Sequence, residues 1–332
     1  MTMRPKFHFT AQKGWLNDPN GLVYYRGEYH LFFQYNPNGK VWSRKDMHWG
    51  HAVSSDLLHW QELPPALFPK ENDACYSGSA IVDWNNVSGL QTGNEPPLLV
   101  FFTSTGRGEC LVFSNDRGRT FAEYPGNPVI RHGGRDPRIL YHEESSRWIL
   151  AVYDEVNHIA FYASDDLKHW NFQSRLHGFY ECPELFKLQD KWVIFGADGR
   201  YQIGNFDGRI FEPETLPRPL FTGDAYAAQT FSNADRRILI AWMRSDVKLY
   251  ADLPFCQQMT LPCELTLDGD ALRIDPAVDV PREIISSPNR ETVVEGIAVP
   301  PAEHIEIVRD TMSVEIFVNH GDTYFVKALP PR

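Results

Sequence analysis

Asp18, Asp136 and Glu181 share a local setting, each an acid next to a proline or one residue from it: Asn17-Asp18-Pro19-Asn20-Gly21, Arg135-Asp136-Pro137 and Glu181-Cys182-Pro183. Asp-Pro-Asn-Gly alone is turn chemistry, because Pro presets φ, Asn tolerates the next position and Gly relieves the last. Turn-making does not require an acid at all three places. Carboxyls gathered at one point raise the cost of ionising one another, so such groupings belong to metal binding or acid–base work. A calcium or magnesium site would show a single loop dense in Asp and Asn, and no such run exists, so no metal or other cofactor is expected. Two carboxyls with divided roles and a third that holds the substrate suit glycoside hydrolysis.

Elements that bring these acids together are legible as an internal repeat. Residues 17–35 read as a polar motif, an apolar run, a turn at Arg26-Gly27-Glu28 and a second apolar run, the pattern of a β-hairpin. The same grammar recurs in units starting near residues 77, 135, 181 and 227. Asp-Leu-x-His-Trp ends both 49–60 and 161–170, and Phe113-Ser-Asn-Asp-Arg-Gly-Arg-Thr-Phe121 is a degenerate copy. Repeats of this spacing, with helical periodicity nearly absent, predict an all-β chain: a five-bladed β-propeller over 1–267 and a reduced β-sandwich-like module over 268–332. In a propeller the first strand of each blade lines the axis, so Asp18, Asp136 and Glu181 converge although far apart in sequence.

Composition narrows the partners. A formal net charge of -11 over 332 residues argues against nucleic acid or an anionic membrane surface, which need a basic excess. Nine Trp, 14 Tyr and 21 Phe suit both sheet packing and the apolar faces of a sugar. No apolar run approaches the ~20 residues of a membrane span and none follows Arg4 and Lys6 as a leader would, so a cytoplasmic location is expected. Five cysteines without Cys-x-x-Cys spacing indicate reduced thiols.

Trp15-Leu-Asn-Asp-Pro-Asn-Gly21, Phe32-Phe-Gln-Tyr-Asn-Pro37, Tyr76-Ser-Gly-Ser-Ala80, Arg135-Asp-Pro137, Glu181-Cys-Pro-Glu-Leu-Phe186 and Tyr226-Ala-Ala-Gln-Thr-Phe231 together resemble glycoside hydrolase family 32, the β-fructofuranosidases. The resemblance runs from about residue 7 to 267. It implies Asp18 as the nucleophile, Glu181 as general acid and base, Asp136 as the residue holding ring hydroxyls, and retention of configuration. It also implies a sugar pocket shaped by Asn17, Gln34, Trp42, Tyr76 and Ser77, with Arg135 a fixed charge keeping Asp136 ionised. The implied substrate is a small carbohydrate, sucrose or a short β-fructan. Trp49, Trp60 and Trp170 read as propeller core, His51, His59 and His169 as packing or turn residues, and Cys182 as a small buried neighbour of Glu181.

Two departures stand out. The family's sandwich is far longer than residues 268–332, so this remnant is expected to dock on the propeller or on a second copy of the chain that completes its sheet. Cys263 in Leu-Pro-Cys-Glu-Leu stands where the family commonly has arginine. Competing readings are a fructosyltransferase on the same scaffold, a silent carbohydrate-binding propeller, and an inverting arabinan- or xylan-acting propeller.

Overall fold

The computed structural model describes residues 3–286 and 290–332; Met1 and Thr2 of the N-terminal segment and residues 287–289 of the C-terminal module lie outside them. Strands dominate, and the helical elements among the described residues are two 3-10 turns, Arg44–Asp46 and Val247–Tyr250.

Five antiparallel sheets follow one another along the chain. Their first strands are Gly14–Tyr25, Cys75–Val82, Arg135–His142, Glu184–Leu188 and Ala225–Thr230, matching the five repeat units. Each first strand packs on the next, and Ala225–Thr230 packs back on Gly14–Tyr25, so the five strands surround an axis. Closure is reinforced by Phe255–Cys256, which runs parallel beside Gly14–Tyr25.

Local chemistry accounts for the repeat. The first hairpin turns at Arg26 and Gly27, both at positive φ (48° and 91°), the geometry whose twist matches paired strands. In the Asp-Leu-x-His-Trp echo the Asp56 carboxylate accepts from the N–H groups of Leu58 (2.9 Å) and His59 (2.8 Å), while Leu57 takes φ of 70°. Asp166 repeats this with Lys168 (2.9 Å), His169 (2.8 Å) and Leu167 at 63°. His59 and His169 are exposed turn residues paired to those aspartates. His51 is buried and stacks on Phe32, Trp49 is fully buried, Trp60 packs against Phe9, and Trp170 meets Phe101 edge-on.

The fifth sheet overruns the expected boundary. Cys263–Asp268 pairs with Ile238–Met243, and Ala271–Pro276 pairs with Cys263–Asp268, so the sheet ends at Pro276 and residue 267 falls inside its last hairpin. The physical reason is plain: a tight turn at Gly269 (φ 61°) folds the outer strand back onto the sheet.

The remaining residues form a five-stranded sheet ordered Thr222–Gly223, Thr323–Ala328, Ser313–Val318, His304–Arg309, Glu283–Ser286, its first strand lent by the segment between the fourth and fifth propeller sheets. Val308, Phe317, Tyr324 and Val326 face the propeller and join its largest apolar cluster. Ile305, Ile307, Val314 and Ile316 face away, beneath the small hairpin Thr292–Val294/Ile297–Val299.

A buried ionic cluster pins the module to the N-terminus. His8 lies between Asp310 (2.8 Å) and Glu315 (3.0 Å), all three side chains being sealed from solvent. Burial alone would depress the imidazole, but the two carboxylate hydrogen bonds carry it up to about 9. Glu315 also accepts from the Tyr324 hydroxyl (2.7 Å) and the Leu261 N–H (3.0 Å). Cys263 is buried beside this carboxylate, where His8 already supplies the positive charge.

Candidate active site

The side chains at the entry ends of the inner strands are aimed by irregularities in the sheets. Pairing registers slip between Leu16 and Pro19, Cys75 and Gly78, Ala151 and Tyr153 (opposite Asp136), and Tyr226 and Gln229. A bulge sets two residues against one and turns a side chain out of the regular alternation, a device common beside active sites. Asp136 (φ 68°), Glu181 (51°), Cys182 (39°) and Ala227 (51°) also sit in the left-handed region, a strained backbone that surrounding structure must hold in place. Glu181 precedes its strand, in the bend before Glu184–Leu188.

Together these residues line a cavity of ≈ 590 Å³ formed by Trp15, Asn17, Asp18, Gln34, Trp42, Tyr76, Ser77, Arg135, Asp136, Glu181, Cys182, Tyr226 and Trp242. All nine residues singled out from the sequence are present. Trp15, Tyr226 and Trp242 were not anticipated as site residues, and Cys182 was expected only as a neighbour. Trp15 and Tyr226 lie inside motifs already legible, whereas Trp242, in the second strand of the fifth sheet, carries no local signal.

Asp18 accepts from the Ser77 hydroxyl (2.7 Å) and the Asn17 amide (3.1 Å), and Asn17 is oriented by the Trp15 indole N–H (2.9 Å). Burial pushes the Asp18 carboxyl up, those two donors oppose it, and the charge of Glu181 adds to the rise. Asp136 accepts from the Cys182 backbone N–H (3.1 Å), and its own N–H donates to Thr103 (2.8 Å). Burial and then the nearby Asp18 charge push Asp136 up to about 8, against the opposing pull of Arg135 and the Cys182 N–H. The Cys182 thiol spans the pair, 3.7 Å from Asp18 and 3.6 Å from Asp136. Both carboxyls are thus pushed above the usual carboxylate range, with the Ser77 and Asn17 donors favouring the Asp18 anion.

Arg135 does something other than expected. Its guanidinium binds Glu181 at 2.5 Å and approaches Asp136 at 3.7 Å, so its nearer partner is Glu181, while its charge still favours the Asp136 anion against burial. The cation is braced over Tyr153 (4.8 Å) and Tyr180 (5.8 Å). The other Glu181 oxygen accepts from the Tyr226 hydroxyl at 2.7 Å. Gln34 is fixed by the Cys75 carbonyl (3.0 Å), and Trp42, 46% exposed, stands at the rim near Tyr76.

Among the described residues, one group has metal-ligand spacing, His304, Glu306 and His320, and it lies in the C-terminal module with Glu306 already bound by Arg282 (2.7 Å). The axial cavity instead offers carboxyls as acids, bases and anions, with aromatic walls.

Fold and site define a β-propeller with an acidic cavity at one end of its axis. The chain belongs to glycosyl hydrolases family 32: the model of that family's N-terminal domain matches residues 8–276, ending at the last strand of the fifth sheet. It is 38% identical over 349 residues to a levanase of Bacillus subtilis, covering 93% of this chain and 48% of the relative. It is 39% identical over 270 residues to invertase 1 of Saccharomyces cerevisiae, covering 70% and 51%. The chain thus spans about half the length of the curated relatives it matches. Among solved structures, an exo-inulinase from Aspergillus awamori superposes with a TM-score of 0.87 at 25% identity, covering 100% of this chain and 94% of that one. A Bombyx mori β-fructofuranosidase variant in complex with sucrose gives 0.80 at 26% identity, covering 98% and 89%.

Proposed function

We propose that the chain is a retaining β-fructofuranosidase that releases terminal fructosyl units from sucrose or short β-fructans. The observation that carries this reading is the convergence of Asp18, Asp136 and Glu181 in one aromatic-walled cavity, each in a different environment. The names of the matched relatives, levanase, invertase and exo-inulinase, support the substrate class.

Asp18, held by Ser77 and Asn17, attacks the anomeric carbon of the fructosyl ring. Glu181 protonates the departing glycosidic oxygen, and a covalent fructosyl ester on Asp18 remains. Glu181 then takes a proton from the entering water, which displaces Asp18 and frees fructose. Asp136, its carboxyl pushed up by burial and by Asp18, stands beside the nucleophile and holds the ring hydroxyls. Arg135 and Tyr226 each bind one oxygen of Glu181 and so fix the position of this carboxyl in the cavity wall. A transferase differs only in which hydroxyl reaches the ester.

The test is product analysis after incubation with sucrose, kestose, inulin and levan, with NMR detection of the first anomer released. Free fructose of retained configuration is expected. Initial release of the inverted anomer would reject Asp18 as nucleophile, and no product from any of the four would reject the assignment.

A further inference from the structure

The propeller axis has a second end. Strand Arg135–His142 runs along it, with Asp136 at one end and Tyr141 five residues on, roughly 16 Å away at about 3.3 Å per residue. At that far end lies a separate cavity of ≈ 420 Å³, walled by Trp84, Tyr141, Trp148 and Trp192 and lined also by Arg138 and Arg237. Its volume falls within the range of roughly 300–1,000 Å³ that small-molecule sites occupy. Trp84 (49%) and Tyr141 (43%) leave much of their surface to solvent.

The charges lining this cavity do not balance. Arg138 pairs with Glu184 at 3.0 Å, both side chains being almost completely buried. Arg237 has no carboxylate within ion-pair distance among the described residues; it leans on the Thr230 hydroxyl (3.3 Å) and the Phe231 carbonyl (3.4 Å) and rests on the Phe186 ring. Arg138 reaches for the same Thr230, through its carbonyl (3.2 Å) and hydroxyl (3.3 Å). The Nε atoms of both arginines are buried without a hydrogen-bond partner. Asp83, at the cavity edge, forms an ion pair with neither arginine; its carboxylate instead accepts from the N–H groups of Val87 and Ser88 (2.8 Å each). Two guanidiniums face one carboxylate, in a chain whose formal net charge is -11. Burial and the neighbouring Arg138 lower Arg237 only to about 10, so it stays charged at neutral pH.

We propose that this cavity is a second ligand site, for a monosaccharide phosphate, with the phosphate on Arg237 and Arg138 and the C–H face of the sugar against Trp84 and Trp148. Guanidinium supplies the forked donors that phosphate oxygens accept, and the first negative charge of the phosphate balances the single positive charge left by two guanidiniums and one carboxylate. Indole rings offer a flat apolar surface on which the C–H face of a pyranose or furanose ring can lie.

Isothermal titration of the full chain with fructose 6-phosphate tests this, with fructose and inorganic phosphate as separate arms. Saturable binding is expected for the sugar phosphate, at least tenfold tighter than for either fragment. Arg237→Gln and Trp84→Ala should each weaken it at least tenfold while sucrose hydrolysis by the same variants is unchanged, and Asp18→Asn should leave the affinity intact. Trp84 is half exposed, so its variant decides the matter if Arg237→Gln does not fold. The proposal fails if no saturation occurs up to about 10 mM, if phosphate alone binds as well as the sugar phosphate, or if binding is lost in Asp18→Asn and kept in Trp84→Ala.

Discussion

Asp136→Asn should stabilise the protein while crippling it, and the gain should grow with pH. The Asp136 carboxyl is displaced from 3.8 to about 8, chiefly by burial and by Asp18. Between those limits the folded chain keeps a proton that the unfolded chain releases, so wild-type stability falls as pH rises through that window. At ~1.4 kcal/mol per pH unit, the accumulated loss is about 3 kcal/mol at pH 6 and about 5 kcal/mol at pH 8. Asparagine has no proton to lose, preserves the shape, and its amide oxygen can still accept the Cys182 N–H that now reaches Asp136 at 3.1 Å. The two proteins should therefore be nearly equal in stability at about pH 4 and diverge above it. Even if relaxation around Arg135 halves the effect, about 1.5 kcal/mol remains at pH 6, well within the resolution of a denaturant titration. Urea unfolding of both proteins at about pH 4.5, 6 and 7.5, paired with kcat/KM on sucrose, checks this. A gain that does not change with pH, or a variant less stable at the highest pH, would refute a protonated, strained Asp136; undiminished kcat/KM would refute its contact with the ring.

Asp18→Asn and Glu181→Gln should each lower kcat by at least about a thousandfold with an unchanged circular dichroism spectrum, since each keeps the shape and removes one chemical role; sugar-release assays read the loss. Ser77→Ala removes the 2.7 Å donor to Asp18, so the acidic limb of the pH–rate profile should move to higher pH, and a lost bond to a charged group of roughly 1.5–3 kcal/mol predicts about a ten- to hundredfold fall in kcat/KM below neutrality. The His8 cluster gives a pH window of its own. His8 is raised to about 9, so its contribution is fully present below 6.5 and disappears as pH climbs through 9; Asp310 is depressed, so its contribution holds above 3.8 and disappears as pH falls further. His8→Gln should cost about 3 kcal/mol near pH 6 and little near pH 10, measured as the difference in unfolding free energy at the two pH values.

The sequence made the sheets legible because their turns are spelled out residue by residue. Asp56 and Asp166 make the same contacts to the same backbone positions, and Arg26-Gly27 can hardly do anything but reverse the chain. The acids were legible because a proline lies next to each or one residue away, at a repeat-unit entry. What stayed hidden depends on closure. Trp242 meets Trp15 at the cavity only once the fifth sheet is brought against the first, and Tyr226 reaches Glu181 only once the fifth sheet packs on the fourth. The preference of Arg135 for Glu181 over its sequence neighbour follows from the left-handed backbone at both acids, which no local pattern announces. The hairpin at Gly269 looked like the start of the module because a strand pair carries no mark of which sheet it will extend.

The short parallel strand Phe255–Cys256 beside Gly14–Tyr25 bears on how the molecule is made. The strand that carries Asp18 lacks this neighbour until some 240 residues more have been synthesised. Such distant pairing is slow to find, because a long loop must close before any contact rewards it. The nascent chain therefore waits with an apolar first hairpin, Leu31, Phe32 and Phe33 included, partly uncovered, so aggregation during synthesis, more than unfolding afterwards, is the hazard this ring design imposes.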